Sequence, residues 1–274
     1  MLRKGDLTQG GITGTLLHFT LPMMVGSFLQ QCYNIADTLI VGQCIGAGAL
    51  AAVGSAYTLM VFLISVLLGL AMGSGTVFSL HYGAGNHVAL RRSIFSSFAL
   101  IGIVTLILNV AVFIWLDPIL RLLQVPQDIY GMMRSYLWII FCGIVFTFIY
   151  NFYASLLRAV GDSVTPIWFL AVSVVLNIAL DLFFILQLDW GIQGAAAATV
   201  LAQGVAALGI IIYTYRRRPE LRWHHEDMCF DRTCLKEIAS FSTLTCVQQS
   251  VMNLGILMIQ GLVNSFGTAV MAAF

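Results

Sequence analysis

Two aspartates stand where a chain of this composition should not carry them. Asp37 and Asp181 fall well inside long apolar runs, whereas the other ten of the twelve acidic residues lie in loops or near the ends of such runs. A carboxylate at the centre of a bilayer-embedded helix costs ~2.5 to 3.5 kcal/mol on insertion scales, so such residues face a bundle interior and mark an ion or proton pathway. Asn177 precedes Asp181 by one turn on the same helical face, and Thr199 adds a hydroxyl at similar depth in the following run. Carboxylates, a carboxamide oxygen and a hydroxyl form a hard-oxygen set suited to Na⁺ rather than to a soft transition metal. The same carboxyl pair could instead hold a proton, because two buried carboxyls are costly to ionise together. The residues alone leave H⁺ and Na⁺ open.

The elements that must position these groups follow from composition. Of 274 residues only 25 are charged and 59% are hydrophobic, too few charges to cover a solvated surface. The apolar blocks are about twenty residues long, the length of a membrane-crossing helix and not of a barrel strand. The sequence therefore predicts an all-α polytopic membrane bundle embedded in a lipid bilayer. Seven spans are expected, near 15–41, 50–80, 93–116, 133–157, 165–188, 191–215 and 237–263. The first is too long for a signal-peptide core and is read as retained. A net charge of +1 argues against a nucleic-acid partner.

Counting Lys and Arg on alternate sides gives eleven against two, which places the N-terminus in the cytoplasm of a cell-membrane protein. Trp115, Trp138, Trp168 and Trp190 sit near span ends as interfacial anchors. On this topology Asp37 lies ~6 Å and Asp181 ~10 Å from the outer ends of the first and fifth spans, with Thr199 ~12 Å into the sixth. All four polar residues can converge in one outer half. Pro22, in the inner half of the first span, lacks an N–H and is a candidate hinge for the arm that bears Asp37. Tyr136 and Asn151 in the fourth span are candidate interior-lining residues, with an interhelical hydrogen bond as the simpler role.

The polar stretch 216–236 reads as a cytoplasmic linker between a six-helix lobe, residues 1–215, and the start of a second lobe, residues 237–274. A faint repeat supports the restart, because Ile45 to Val53 can be laid on Phe266 to Phe274 with glycine on glycine and Ala-Ala on Ala-Ala. His224, His225, Cys229 and Cys234 in the linker match no zinc spacing. Cys32, Cys44, Cys142 and Cys246 read as small apolar packing residues. No nucleophile-elbow, Walker or HExxH pattern occurs at a usable place, so neither an enzyme nor a cofactor is expected.

The chain resembles the multidrug and toxic compound extrusion (MATE) transporters. The resemblance is carried by Gln30-Gln31-Cys32-Tyr33-Asn34-Ile35-Ala36-Asp37 with Val41-Gly42, and by Leu157-Arg158-Ala159-Val160-Gly161-Asp162-Ser163 with Pro166. It continues in Asn177-Ile178-Ala179-Leu180-Asp181, then Gly191-Ile192-Gln193-Gly194-Ala195-Ala196 and Ala198-Thr199. It implies twelve helices in two six-helix lobes that export mostly cationic, amphipathic organic compounds in exchange for Na⁺ or H⁺. Carried over by motif, the ion site of the first lobe is Asp37, Asn177, Asp181 and Thr199. Seven spans against twelve imply one lobe plus one helix, with a missing carboxy-terminal lobe needed for full transport. Two other readings share parts of the pattern: a flippase for lipid-linked sugars, and an intramembrane aspartyl protease. The first is disfavoured because every Lys and Arg lies in a loop or near a span end, the second because neither acid has the flanking residues such proteases use.

Overall fold

The computed structural model describes residues 12–222, 232–267 and 270–271. The charged N-terminal residues Arg3 and Lys4, the linker residues His224, His225 and Cys229, and much of the repeat at 266–274 lie outside the described residues. Eight α-helices are found among the described residues: α1 (Ile12–Cys44), α2 (Ala47–Gly83), α3 (His87–Leu122), α4 (Gln127–Cys142), α5 (Ile144–Ala159), α6 (Val164–Leu182), α7 (Gly191–Arg217) and α8 (Arg232–Asn264). The fold is all-α, as expected, with long apolar helices joined by short turns. Gly46, at φ 118°, makes the joint between α1 and α2, a backbone conformation open to glycine and strained for other residues.

Three details depart from the expected seven straight spans. The expected fourth span is two helices, α4 and α5, bent by 49° at a break. Gly143 sits at that break, where a Cβ would lie 2.5 Å from Cγ2 of Val200 on α7. Glycine both weakens the helix and lets α7 approach. The fifth span ends in one π-helical turn, Phe183–Gln187, directly after Asp181. Finally, α2, α3, α6 with its π turn, α7 and α8 are each long and apolar enough to cross a membrane, and the bent α4–α5 pair makes a sixth span. Helix α1 has 33 residues, and Gln30, Gln31, Asn34 and Asp37 interrupt its apolar run.

Two helices organise the packing. Helix α7 contacts α4, α5 and α6 and touches α1, and its buried face consists largely of small residues, including Gly194, Ala195, Ala198, Thr199 and Ala202. Small side chains let membrane helices approach closely where lipid supplies no hydrophobic drive for association. Helix α2 gathers α3, α4, α5 and α8. Between α2, α3 and α5, the rings of Phe78, Phe98, Phe148 and Phe152 pack with centroids 5.1 to 6.1 Å apart, within the range of favourable aromatic pairs.

Helix α8 is antiparallel to α2 and packs along much of its length. At its centre a Cβ on Gly69 would fall 2.5 Å from Cα of Cys246, and one on Gly73 would fall 2.4 Å from Cα of Ser242, so the two backbones touch. Nearer the start of α2, Ser55 and Gln260 Nε2 are 2.9 Å apart, Thr58 donates to Gln260 Oε1 at 3.2 Å, and Asn264 Nδ2 donates to the Leu123 carbonyl at 2.9 Å. At the other end His81 Nε2 lies 3.3 Å from Glu237 Oε2. Cys246 is partly buried in this seam, while Cys32, Cys44 and Cys142 are exposed on the outside of the bundle instead of packed within it. A small side chain suits both positions, so sequence type alone does not separate them. Trp115, Trp138, Trp168 and Trp190 are exposed at 45 to 69%.

The segment from Leu157 to Ser163 turns α5 into α6. Gly161 takes φ 86°, and Asp162 accepts hydrogen bonds from the Thr165 N–H at 3.1 Å and the Thr165 hydroxyl at 2.8 Å. Arg218, just past α7, reaches the same carboxylate at 3.5 Å. The motif thus caps α6 and ties it to the end of α7. Replacing Asp162 with Ala removes the cap, and a loss of about 1 kcal/mol is expected. A lowered thermal midpoint of the detergent-solubilised chain checks this.

Candidate functional site

Helices α1, α6 and α7 bring the predicted site residues together. Asp37 is 8% exposed, Asn177 and Asp181 are 0% exposed and Thr199 is 6% exposed. Asp37 and Asp181 are close enough for each carboxyl to act on the other. Thr199 Oγ1 accepts from Asn177 Nδ2 at 3.4 Å and from the Tyr33 hydroxyl at 3.3 Å. The local reasons are visible in each helix. Asn177 and Asp181 are separated by one α-helical turn and both point inward from α6. Asp37 sits on the inward stripe of α1, whose opposite face exposes Phe28, Ile35 and Leu39. Thr199 occupies the small-residue face of α7, which lets α1 and α6 come close enough to meet it.

The site is rich in acceptors. Oδ1 of Asp37, Oδ1 of Asn177 and both carboxylate oxygens of Asp181 are buried and have no hydrogen-bond donor among the described residues. No Lys or Arg stands among the groups whose charge acts on either carboxyl. Burying an acceptor without a donor costs roughly 1 to 3 kcal/mol, and two unit charges 4 Å apart repel by roughly 4 kcal/mol at an effective dielectric near 20. A positive guest between the carboxyls removes both penalties. A proton on one carboxyl, donated to the other, fits this geometry. So does a small hard cation held by the carboxylates, the Asn177 carboxamide oxygen and the Thr199 hydroxyl.

Of the other residues expected from sequence, Tyr136 is buried on α4 near the acidic site. Asn151 does not reach it: its Nδ2 donates to the Thr147 carbonyl at 2.8 Å, one turn earlier in its own helix, so the bond is not interhelical. Pro22 lies within α1, which continues as a helix through it. Tyr33 was missed as a site residue, although it precedes Asp37 by four positions and so shares its helical face. The hydrogen bond between Thr147 on α5 and Gln203 on α7 was also missed, because its register depends on the bend at Gly143.

The described residues thus form a multi-span helical bundle that buries an acidic, donor-poor site. Comparison with known proteins places it more closely. The MatE family model matches residues 22–183. The probable multidrug resistance protein YpnP of Bacillus subtilis (strain 168) is 32% identical over 280 residues, covering 100% of this chain and 61% of that protein. The multidrug export protein MepA of Staphylococcus saprophyticus is 31% identical over 210 residues, covering 74% of this chain and 45% of its own. A solved outward-facing MATE family transporter of the MOP superfamily superposes with TM-score 0.86 at 24% identity, over 93% of this chain and 57% of that one. An inward-facing MATE family transporter gives TM-score 0.80 at 25% identity, over 94% and 59%. The chain belongs to the MatE family. It spans about three fifths of the length of YpnP and of a second B. subtilis relative, YoeA.

Proposed function

We propose that the chain forms the ion-binding part of a secondary antiporter that exports organic, mostly cationic and amphipathic compounds in exchange for H⁺ or Na⁺. The observation that carries this reading is the cluster of four donorless acceptor oxygens on Asp37, Asn177 and Asp181. A cation bound there favours the conformation in which the carboxyls are close, and a compound bound elsewhere drives the cation out only if it favours a different conformation. Alternating access follows from that difference. Membership of a family whose matched relatives are named for multidrug export and resistance supports export of organic compounds over the flippase and protease readings.

On this reading residues 1–215 form the first lobe, 216–236 a cytoplasmic linker and 237–274 the start of a second lobe, with the N-terminus inside the cell membrane. The arm of α1 that bears Asp37 bends at Pro22. Near Pro22, α1 packs on α6, where a Cβ on Gly26 would lie 3.2 Å from Ile167. Replacing Pro22 with Ala restores the missing backbone hydrogen bond and stiffens the helix. Export is expected to fall several-fold while ion binding is kept, and loss of ion binding instead would make Pro22 part of the site and not a hinge. The function itself is tested in inverted membrane vesicles by following a fluorescent organic cation under an imposed H⁺ or Na⁺ gradient. Accumulation driven by one of these gradients is expected. Accumulation that ignores both and follows ATP would refute the antiporter.

A further inference from the structure

The acidic site does not end at Thr199. One turn along α7 toward its Arg216–Arg217 end stands Gln203, about 6 Å further by helical rise. Its side-chain carbonyl accepts from the Thr147 hydroxyl of α5, and Thr147 in turn accepts through its backbone from Asn151 Nδ2 at 2.8 Å. Between Thr199 and the Thr147–Gln203 pair lies a cavity of about 20 Å³ whose other walls include Met60, Ile140 and Val200. That is room for one water, which needs at least two polar partners to be held. Here Thr199, Thr147 and Gln203 offer them in an otherwise apolar pocket. The cavity lies beside the break between α4 and α5 at Gly143, where a Cβ would lie 2.5 Å from Cγ2 of Val200, one of the cavity's walls. Unbroken helices at the midplane leave no such gap, and broken ones commonly line ion paths in transporters. Thr147 and Gln203 are half-buried, whereas Asn177 and Asp181 are fully buried, so exposure rises and charge falls along this line.

We propose that Thr147 and Gln203, with a single water, form a neutral second station through which the coupling cation passes between the acidic site and the outside of the lobe. The inference rests on the antiporter reading of the acidic site. A neutral amide and hydroxyl accept a water-borne proton or a partly hydrated monovalent cation without trapping it, as a third carboxylate would. Asp37 and Asp181 then set how tightly the cation is held, and the station sets how quickly it arrives and leaves.

Stopped-flow pH jumps on the purified full chain, with a pH indicator in solution, separate the two roles. The amplitude and midpoint report the acidic site, and the rate reports the path. Gln203→Leu and Thr147→Val are expected to slow proton release about tenfold, the effect of one lost hydrogen-bonded stepping point, at an unchanged midpoint. Thr147→Ser, which keeps the hydroxyl, should restore the rate. A purely structural pair would instead lower thermal stability in Gln203→Leu and Thr147→Val and leave the rate alone, and that result overturns the station. A shifted midpoint in Gln203→Leu also overturns it, by making Gln203 part of the binding site. Asp37→Asn and Asp181→Asn serve as the separate control: if their release amplitude matches the unmodified chain, it is the acidic-site reading that fails.

Discussion

Replacing Asp181 or Asp37 with Asn is expected to cut ion-driven export of organic cations ~5- to 150-fold while leaving the bundle folded. Asn is nearly the same size as Asp, so packing of the fully buried Asp181 changes little. The substitution removes the group that can take up or release a proton, and it replaces an acceptor oxygen with donor hydrogens. In either variant the remaining carboxyl gains a neutral partner and no longer needs a cation beside it. Ion and compound then lose their linkage. Coupling energies of this kind run ~1 to 3 kcal/mol, or ~5- to 150-fold, and the fall in ion-driven export should lie in that range. The pair should be non-additive, because Asp37 and Asp181 are in direct reach of each other and removing either already dissolves the shared site. Export by Asp37→Asn combined with Asp181→Asn that falls by the product of the single effects would show two independent acids. Thr199→Val should act more mildly, because it removes one hydroxyl that already accepts from Tyr33 and Asn177.

The second large effect is expected far from the acids. Gly73→Leu puts a branched side chain where a Cβ alone would stand 2.4 Å from the Ser242 backbone. No rotamer of Ser242 relieves a clash with its own Cα, so α8 must move away from α2. Overpacking of this sort costs ~1 to 3 kcal/mol, and the approach of small residues is what holds such a seam in lipid. Cys246, partly buried against Gly69, reports the movement. Its labelling by a membrane-permeant maleimide should accelerate by about the same ~5- to 150-fold factor that 1 to 3 kcal/mol implies. The outer network of Ser55, Thr58, Gln260 and Asn264 predicts a smaller effect for Gln260→Leu, since each net hydrogen bond between membrane helices contributes about 0.6 kcal/mol. Unchanged Cys246 labelling in Gly73→Leu would mean that α8 is not seated on α2 in the membrane.

How much of this was legible beforehand depends on the physical range of each signal. Asp37, Asn177, Asp181 and Thr199 could be read because charge in an apolar run is costly and helical spacing fixes a face. Both are local properties, and the structure brings the four residues together. The bend at Gly143 was not legible. A lone glycine in a membrane helix is common, and only its contact with Val200 on α7, 57 positions away, makes it a break. The Thr147–Gln203 pair inherits that difficulty. Asn151 was misread for a related reason, since a carboxamide that satisfies itself on its own helix looks in sequence like one that crosses between helices. Helix α1 was expected as one more apolar span. Of its polar residues, Tyr33 and Asp37 build the site, whereas Gln30 and Gln31 are exposed.

The seam between α2 and α8 shows what the reading by lobes left out. Sequence placed α8 after a polar linker and so beyond the first bundle. The helix nevertheless lies along α2, joined by touching glycines at the centre and a polar network toward one end. Glycine and serine on both partners carry little weight in composition, yet they decide how near two backbones come.

The account turns on one claim, that the Asp37–Asp181 pair holds a single exchangeable cation. Infrared difference spectroscopy of the purified chain tests it directly, by following the carbonyl stretch of protonated carboxyls as pH is raised or as Na⁺ is added at fixed pH. The account predicts loss of one buried-carboxyl band on deprotonation or Na⁺ binding, a band absent or displaced in both Asp37→Asn and Asp181→Asn. A band that persists unchanged in both variants, or no carboxyl response to either ion, would contradict it.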